Sequence, residues 1–233
     1  MKAAVIQSSF LPWKGYFDII NEVDVFVFYD CVQFTKSDWR TRNYVKTPRG
    51  RELIKINVHG SIHRTIDEIA IDNKANWKKR LLKTFDMNYS RAPFFREYRF
   101  LLDFIDSREW NLLTDFNRET TVRIAGEFGI KTHFVNSTDL DLSGRGTDRL
   151  IDALGKVGAD YYLSGPSAKS YLEPDKMQEA GIRVEFKKYD YPEYPQLWGD
   201  FIHEVTVLDV IFNIGPKAAH YIHGWKEKTL RSL

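Results

Sequence analysis

The stretch AAVIQSSFLPWKGYFDIINEVDVFVFYD, residues 3–30, decides the fold. Ala3 to Gln7 is a short apolar run, and Asp24 to Tyr29 is a second, richer in Val and Phe. Apolar runs of this length without polar alternation read as strands buried on both faces. Between them Ser8 to Lys14 carries Pro12, and Tyr16, Phe17, Ile19 and Ile20 supply a short helical apolar face. Strand, loop, helix, strand is a right-handed βαβ crossover, the usual opening of a parallel sheet.

Outward from this unit, the Pro-Gly punctuation in Lys46-Thr47-Pro48-Arg49-Gly50 predicts a hairpin within Asn43 to Val58. From Asn76 to Gly129 no β-like run occurs. Trp77, Leu81, Leu82 and Phe85, then Phe100, Leu101, Phe104 and Ile105, recur at helical spacing and predict three or four helices broken near Pro93 and Ser107. The alternation then returns, with strands at Lys131 to Val135, Tyr161 to Leu163 and Arg183 to Phe186. Helices are expected over Asp148 to Val157 and, as one or two pieces, over Lys169 to Ala180. A Pro/Tyr-rich tail, YPEYPQLWGDF, precedes a last helical stretch, Val207 to Ile211, before Gly215-Pro216. The predicted fold is a three-layer α/β domain over residues 1–233 with a mainly parallel sheet, a small β-excursion and a helical elaboration over residues 74–129.

Composition bounds the function. The 233 residues, 43% hydrophobic and 28% charged, are ordinary for a globular chain. The net charge of +2 hides a local excess, since Lys36 to Lys55 holds seven Lys/Arg against Asp38 and Glu52. So narrow a basic stretch points to a small anionic ligand and away from DNA, which needs a broader basic face. One cysteine, Cys31, with no apolar leader and no membrane-length apolar run, predicts a cytoplasmic protein without an integral membrane segment.

Ligands of open parallel sheets sit beyond the carboxyl ends of the strands. The Ser8 to Tyr16 loop leaves such an end, with Pro12 and Gly15 shaping the backbone and Trp13 as a stacking wall or a core residue. Ser164-Gly165-Pro166-Ser167-Ala168-Lys169 repeats the arrangement at a later strand end, as a phosphate or carboxylate loop or as a plain helix cap. Both loops are expected to open on one cleft. Lys36, Arg40, Arg42 and Lys46 could grip a diphosphate, Arg42 beside Asn43 above all. Asp30, at the end of the second strand, could accept a proton from an attacking amine or cap a turn. The spaced pairs His59/His63 and His220/His223 lack the companions of a metal motif, and no metal site is predicted.

The run Ile6-Gln7-Ser8-Ser9-Phe10-Leu11-Pro12-Trp13-Lys14-Gly15-Tyr16-Phe17-Asp18 resembles the N-terminal signature of the WbqC-like family, a Gln-Pro pair followed by aromatic-Leu-Pro-Trp-x-Gly-Tyr-Phe. The likeness continues through Asp30, Val32-Gln33-Phe34, Trp39, Arg42-Asn43 and Lys46-Thr47-Pro48-x-Gly50. It returns at Ala159-Asp160-x-Tyr162-Leu163-Ser164-Gly165-Pro166-Ser167-Ala168 and at Leu208-Asp209-x-x-Phe212-Asn213-x-Gly215. Ser8 stands where the family usually has proline, and Cys31 where an acidic residue often follows Asp30.

The resemblance implies a role beside O-antigen and lipopolysaccharide synthesis, with transfer of glycine or another acyl group to a nucleotide-linked amino sugar. On this reading Gln7, Pro12, Trp13, Gly15, Tyr16, Gln33, Arg42, Asn43, Ser164, Gly165, Ser167 and Lys169 bind the nucleotide or sugar, and Asp30 is the catalytic candidate. A free carboxylate is a poor acyl donor, so ATP, a thioester or a charged tRNA must supply the activated acyl group. Adenylate-forming enzymes of nucleotidyltransferase type offer a fold-level analogy. The alternative is a non-catalytic nucleotide-sugar or glycan-assembly binding protein, which needs the pocket but not Asp30.

Overall fold

The structure is a computed structural model that describes residues 1–224, and the end of the expected domain, 225–233, lies outside the described residues. The opening unit forms as its sequence dictates: β1 (Lys2–Ile6), α1 (Lys14–Asn21) and β2 (Val25–Phe28). β1 and β2 pair in parallel from Ala3 opposite Val25 to Ile6 opposite Phe28, and the Tyr29 amide adds one more hydrogen bond to the Ile6 carbonyl. The hairpin follows as β3 (Arg42–Thr47) and β4 (Gly50–Lys55), closed over Pro48-Arg49 with Gly50 at φ +98°. That angle is one that a side chain disfavours. A second small pair, β5 (Val58–His59) with β6 (Ala70–Ile71), completes the β-excursion.

The helical stretch resolves into α2 (Trp77–Tyr89), α3 (Phe100–Asp106) and α4 (Leu113–Glu127). The α/β alternation resumes with β7 (His133–Asn136), α5 (Gly146–Lys156), β8 (Tyr161–Ser164), α6 (Pro174–Glu179) and β9 (Arg183–Phe186), and α7 (Leu208–Ile214) comes last. All pairings in the main sheet are parallel, in the order β7-β2-β1-β8-β9. The chain therefore winds outward on one side of β1, then crosses back to build the other side. The crevice outside the ends of β1 and β8 is the topological switch point, where open α/β sheets bind ligands.

Period-2 alternation sorts the strand residues into two cores. Ala4, Phe26, Phe28 and Leu163 face a large core shared with Phe17 and Ile20 of α1 and with the helical stretch. Ala3, Val5, Val25, Val27 and Tyr162 face a smaller one formed with Leu150, Ala153 and Leu154 of α5 and Met177 of α6. Apolar contact on both faces is what makes these strands continuous apolar runs.

Two polar arrangements lock the layers. The Asp30 carboxylate, with no exposure, accepts from the Ser8 amide at 2.9 Å and from Arg118 Nε at 2.8 Å, so it joins the ends of β1 and β2 to α4. Ser137 Oγ accepts from the Asp30 amide at 3.0 Å, which adds the end of β7. In the tail, Lys187 pairs with Asp18 at 2.7 Å and with Glu22, and Tyr191 donates to Asp18 at 2.7 Å. Lys14 enters the protein among Tyr191, Tyr194 and Phe201, its Nζ 5.0–5.2 Å from the three ring centroids. Burial lowers its pKa from 10.5 to about 8, against the pull of Asp209 and Glu193.

Two measurements test these arrangements. Arg118→Met strands a buried carboxylate and should cost about 3–5 kcal/mol in denaturant unfolding, whereas Asp30→Asn combined with Arg118→Met should recover most of the loss. Equal losses in the single and double variants would mean that the pair is not coupled. For Lys14, the folded protein releases the proton at a lower pH than the unfolded chain. Wild type should therefore gain stability relative to Lys14→Met as pH rises from about 8 to 10.5, with a flat difference below that window. A difference independent of pH across the window would show that the amine titrates normally.

Candidate functional site

A cavity of about 730 Å³ lies at the switch point. The loop after β1 contributes Gln7, Ser9, Pro12, Trp13 and Tyr16, and the segment after β8 contributes Ser164, Gly165, Ser167 and Tyr171. Two loops more than 140 residues apart thus share one cavity, because parallel strands send all their carboxyl ends to one sheet edge. Trp39, Arg40 and Asn43 close a third side, and Tyr189 and Glu204 come from the tail.

The Trp13 ring is set by its neighbours. A Cβ on Gly15 would lie 2.3 Å from the indole, so only glycine lets the ring fold back over the start of α1. Tyr189 meets Trp13 edge-on at 4.8 Å and Tyr191 at 5.9 Å, which leaves the indole half-buried with one side toward the cavity. Tyr16 donates to the Gln7 carbonyl at 3.0 Å, bracing the floor. Asn43 Nδ2 donates to the Phe10 and Leu11 carbonyls at 3.3 and 2.7 Å, and Leu11 has a left-handed φ of +42°. Asn43 therefore holds a strained turn in place as well as lining the wall.

The wall is rich in neutral donors. Burial, with Asp18 nearby, pushes the Tyr189 phenol up to about 12, and burial raises Tyr29 to about 12 as well. Both are O–H donors at neutral pH. Ser164 Oγ accepts from Tyr162 at 2.9 Å and keeps its own proton to donate. Arg40 is the one cation on the described wall, and Asp38 at 3.1 Å already answers its charge.

Other expected site residues lie elsewhere. Asp30 is turned inward to Arg118 and Ser8 and is not part of the cavity wall, which removes the geometric basis for its taking a proton there. Arg42 is also absent from the wall, because alternate residues of a strand face opposite ways and Asn43 takes the cavity side of β3. Lys46 is buried, its ammonium donating to the Gly199 and Asp200 carbonyls. The segment after β8 is a 3-10 turn, Pro166–Ser170, too short for a summed helix dipole, and Lys169 lies over the Phe186 ring at 5.1 Å. Gln33 donates to the Ile62 carbonyl at 2.7 Å and faces a smaller neighbouring cavity.

Three wall residues carry no motif of their own in a single sequence, Tyr171, Tyr189 and Glu204, whereas Trp39 falls within the family-like stretch. The signal that could have found the tail residue is the crowding of aromatics beside Pro and Asp from Tyr189 to Tyr194. Glu204 is the only carboxylate on the described wall, and it pairs with Arg51, 3.5 Å away at the surface.

The model of the WbqC-like protein family matches residues 7–221, from the end of β1 past α7. An uncharacterized protein of Mycobacterium tuberculosis, Rv1507c, is 39% identical over 226 residues, which cover 95% of this chain and 97% of that protein. No solved structure matches the chain. Since the match spans most of the chain and takes in every wall residue of the cavity except Val5 and Ile6, this chain belongs to the WbqC-like protein family.

Proposed function

We propose that the chain binds a nucleotide-linked amino sugar in the switch-point cavity and transfers an acyl group, glycyl in the first instance, to the sugar amine for surface polysaccharide. The observation that carries this reading is the chemistry of the wall. Aromatic rings alternate with neutral hydrogen-bonding groups, Trp13, Trp39 and Tyr189 with Gln7, Ser9 and Ser164, around about 730 Å³. Rings cover the apolar faces of a base or pyranose, and hydroxyl and amide groups match sugar hydroxyls in number and polarity.

In the reaction the free amine attacks the carbonyl of an activated acyl donor. A C–N bond forms, the bond to the adenylate, thioester or tRNA ester breaks, and the amine proton must leave. Glu204, on the wall, takes over the proton-accepting role that Asp30 would otherwise fill. Because Asp30 is committed to Arg118, the same cavity without turnover would serve a nucleotide-sugar-binding protein.

Trp13→Ala should weaken sugar-nucleotide binding by about 1–3 kcal/mol in titration calorimetry, the scale of one lost aromatic stack. Unchanged affinity would take the ring out of the site. With glycine, ATP and candidate amino-sugar nucleotides, Glu204→Gln should bind as wild type does but form the glycylated product, read by mass, about 10²–10⁴-fold more slowly. Binding by wild type with no product from an adenylate, thioester or tRNA donor would establish the non-catalytic binder instead.

A further inference from the structure

Beside the main cavity lies a second one of about 340 Å³, between the end of β2, the Ile62 to Thr65 segment and the start of α5. Tyr29 and Val32 belong to both walls, so the two spaces adjoin along one sheet edge. Their chemistry differs sharply. Three arginines, Arg64, Arg145 and Arg149, converge on the smaller cavity with His63, and no carboxylate stands on its described wall.

The arginines are not spent on the fold. Arg64 and Arg145 make no side-chain hydrogen bond or ion pair among the described residues. Arg149 uses Nε on the Gly144 carbonyl at 2.9 Å, which aims the fork and leaves its terminal nitrogens available. The nearby carboxylates are engaged: Glu68 accepts from the Thr65 amide and hydroxyl at 2.9 and 3.0 Å, and Asp148 pairs with Lys176 at 2.9 Å. Gly146 on the wall opens the 11-residue α5, and Arg145 before it supplies no side-chain cap, so the start of that helix borders the same space.

We propose that this annex is a diphosphate subsite, which holds the phosphates of the ligand whose base or sugar occupies the aromatic cavity. Glu68, outside the wall, feels the charge of Arg64, but three like charges gathered around one space still repel, and a bound dianion or trianion relieves that repulsion. Guanidinium forks match phosphate oxygens two at a time. The main cavity offers one already paired arginine, so an extended nucleotide has its sugar end and its charged end matched by two adjoining compartments. The assignment to a nucleotide rests on the proposed function above, whereas the affinity for diphosphate itself does not.

The test uses inorganic pyrophosphate, UDP and ADP on the full chain by calorimetry. Wild type should bind pyrophosphate with an affinity that falls as salt rises, and Arg64→Gln with Arg145→Gln should weaken it at least tenfold while leaving the melting temperature unchanged. Trp13→Ala should leave pyrophosphate binding intact. If Trp13→Ala also leaves UDP and ADP affinity intact, the nucleotide reading of the main cavity falls and the annex stands. Absence of pyrophosphate binding at millimolar concentration, or binding that ignores the double substitution, overturns the annex.

Discussion

The ion pair between Asp30 and Arg118 is the constraint on which the site depends. A buried carboxylate is costly unless its oxygens are answered, and here one takes the Ser8 amide and the other the Arg118 guanidinium. Burial still pushes this carboxyl above its ordinary range, with Arg118 and Ser8 pulling it back. The arrangement fixes where β1 and β2 end relative to α4. Asn117, next to Arg118, donates to the Arg40 carbonyl at 3.0 Å, so the same helix also positions the segment that brings Trp39 and Arg40 to the cavity.

A second anchor works from the opposite side. Asp18 of α1 gathers Lys187 and Tyr191, and Asp209 of α7 accepts from Tyr89, Tyr194 and Gln196 at 2.6–2.7 Å. Together they draw the Pro/Tyr-rich tail across α1 and set Tyr189 against Trp13. The tail therefore supplies a wall of the cavity although it forms no strand of the main sheet. Aromatic packing and buried acid–phenol hydrogen bonds replace regular secondary structure in holding it.

The two compartments divide their chemistry along the sheet edge. Over β1 and β8 the wall is mainly aromatic and uncharged, and between the end of β2 and the start of α5 it is cationic. That division follows from the strand order, since the loops after different strands fill different sectors of one edge. Of the seven cations in the basic stretch Lys36 to Lys55, which dominates the charge pattern of the sequence, only Arg40 stands on the described main wall. Its other cations pack inward or face away, whereas the arginines of the annex come from two segments distant in sequence, around Arg64 and at the start of α5, with no local charge excess.

The order of apolar runs fixed the parallel sheet and its helices, because strand periodicity and βαβ handedness are local properties carried by neighbouring residues. The Ser8 to Tyr16 and Ser164 to Lys169 loops were legible for the same reason: position after a strand implies position at the carboxyl edge. Direction was not legible. Asp30 turns inward only because Arg118 arrives from a helix 88 residues later, and Arg42 faces away only because β3 places Asn43 toward the cavity. Glu204, Tyr189 and the three annex arginines reach the site through contacts between segments far apart in sequence. Sequence spacing determines which residues share a strand or helix face, but which side chain meets a cavity depends on packing between elements, and that only the tertiary structure decides.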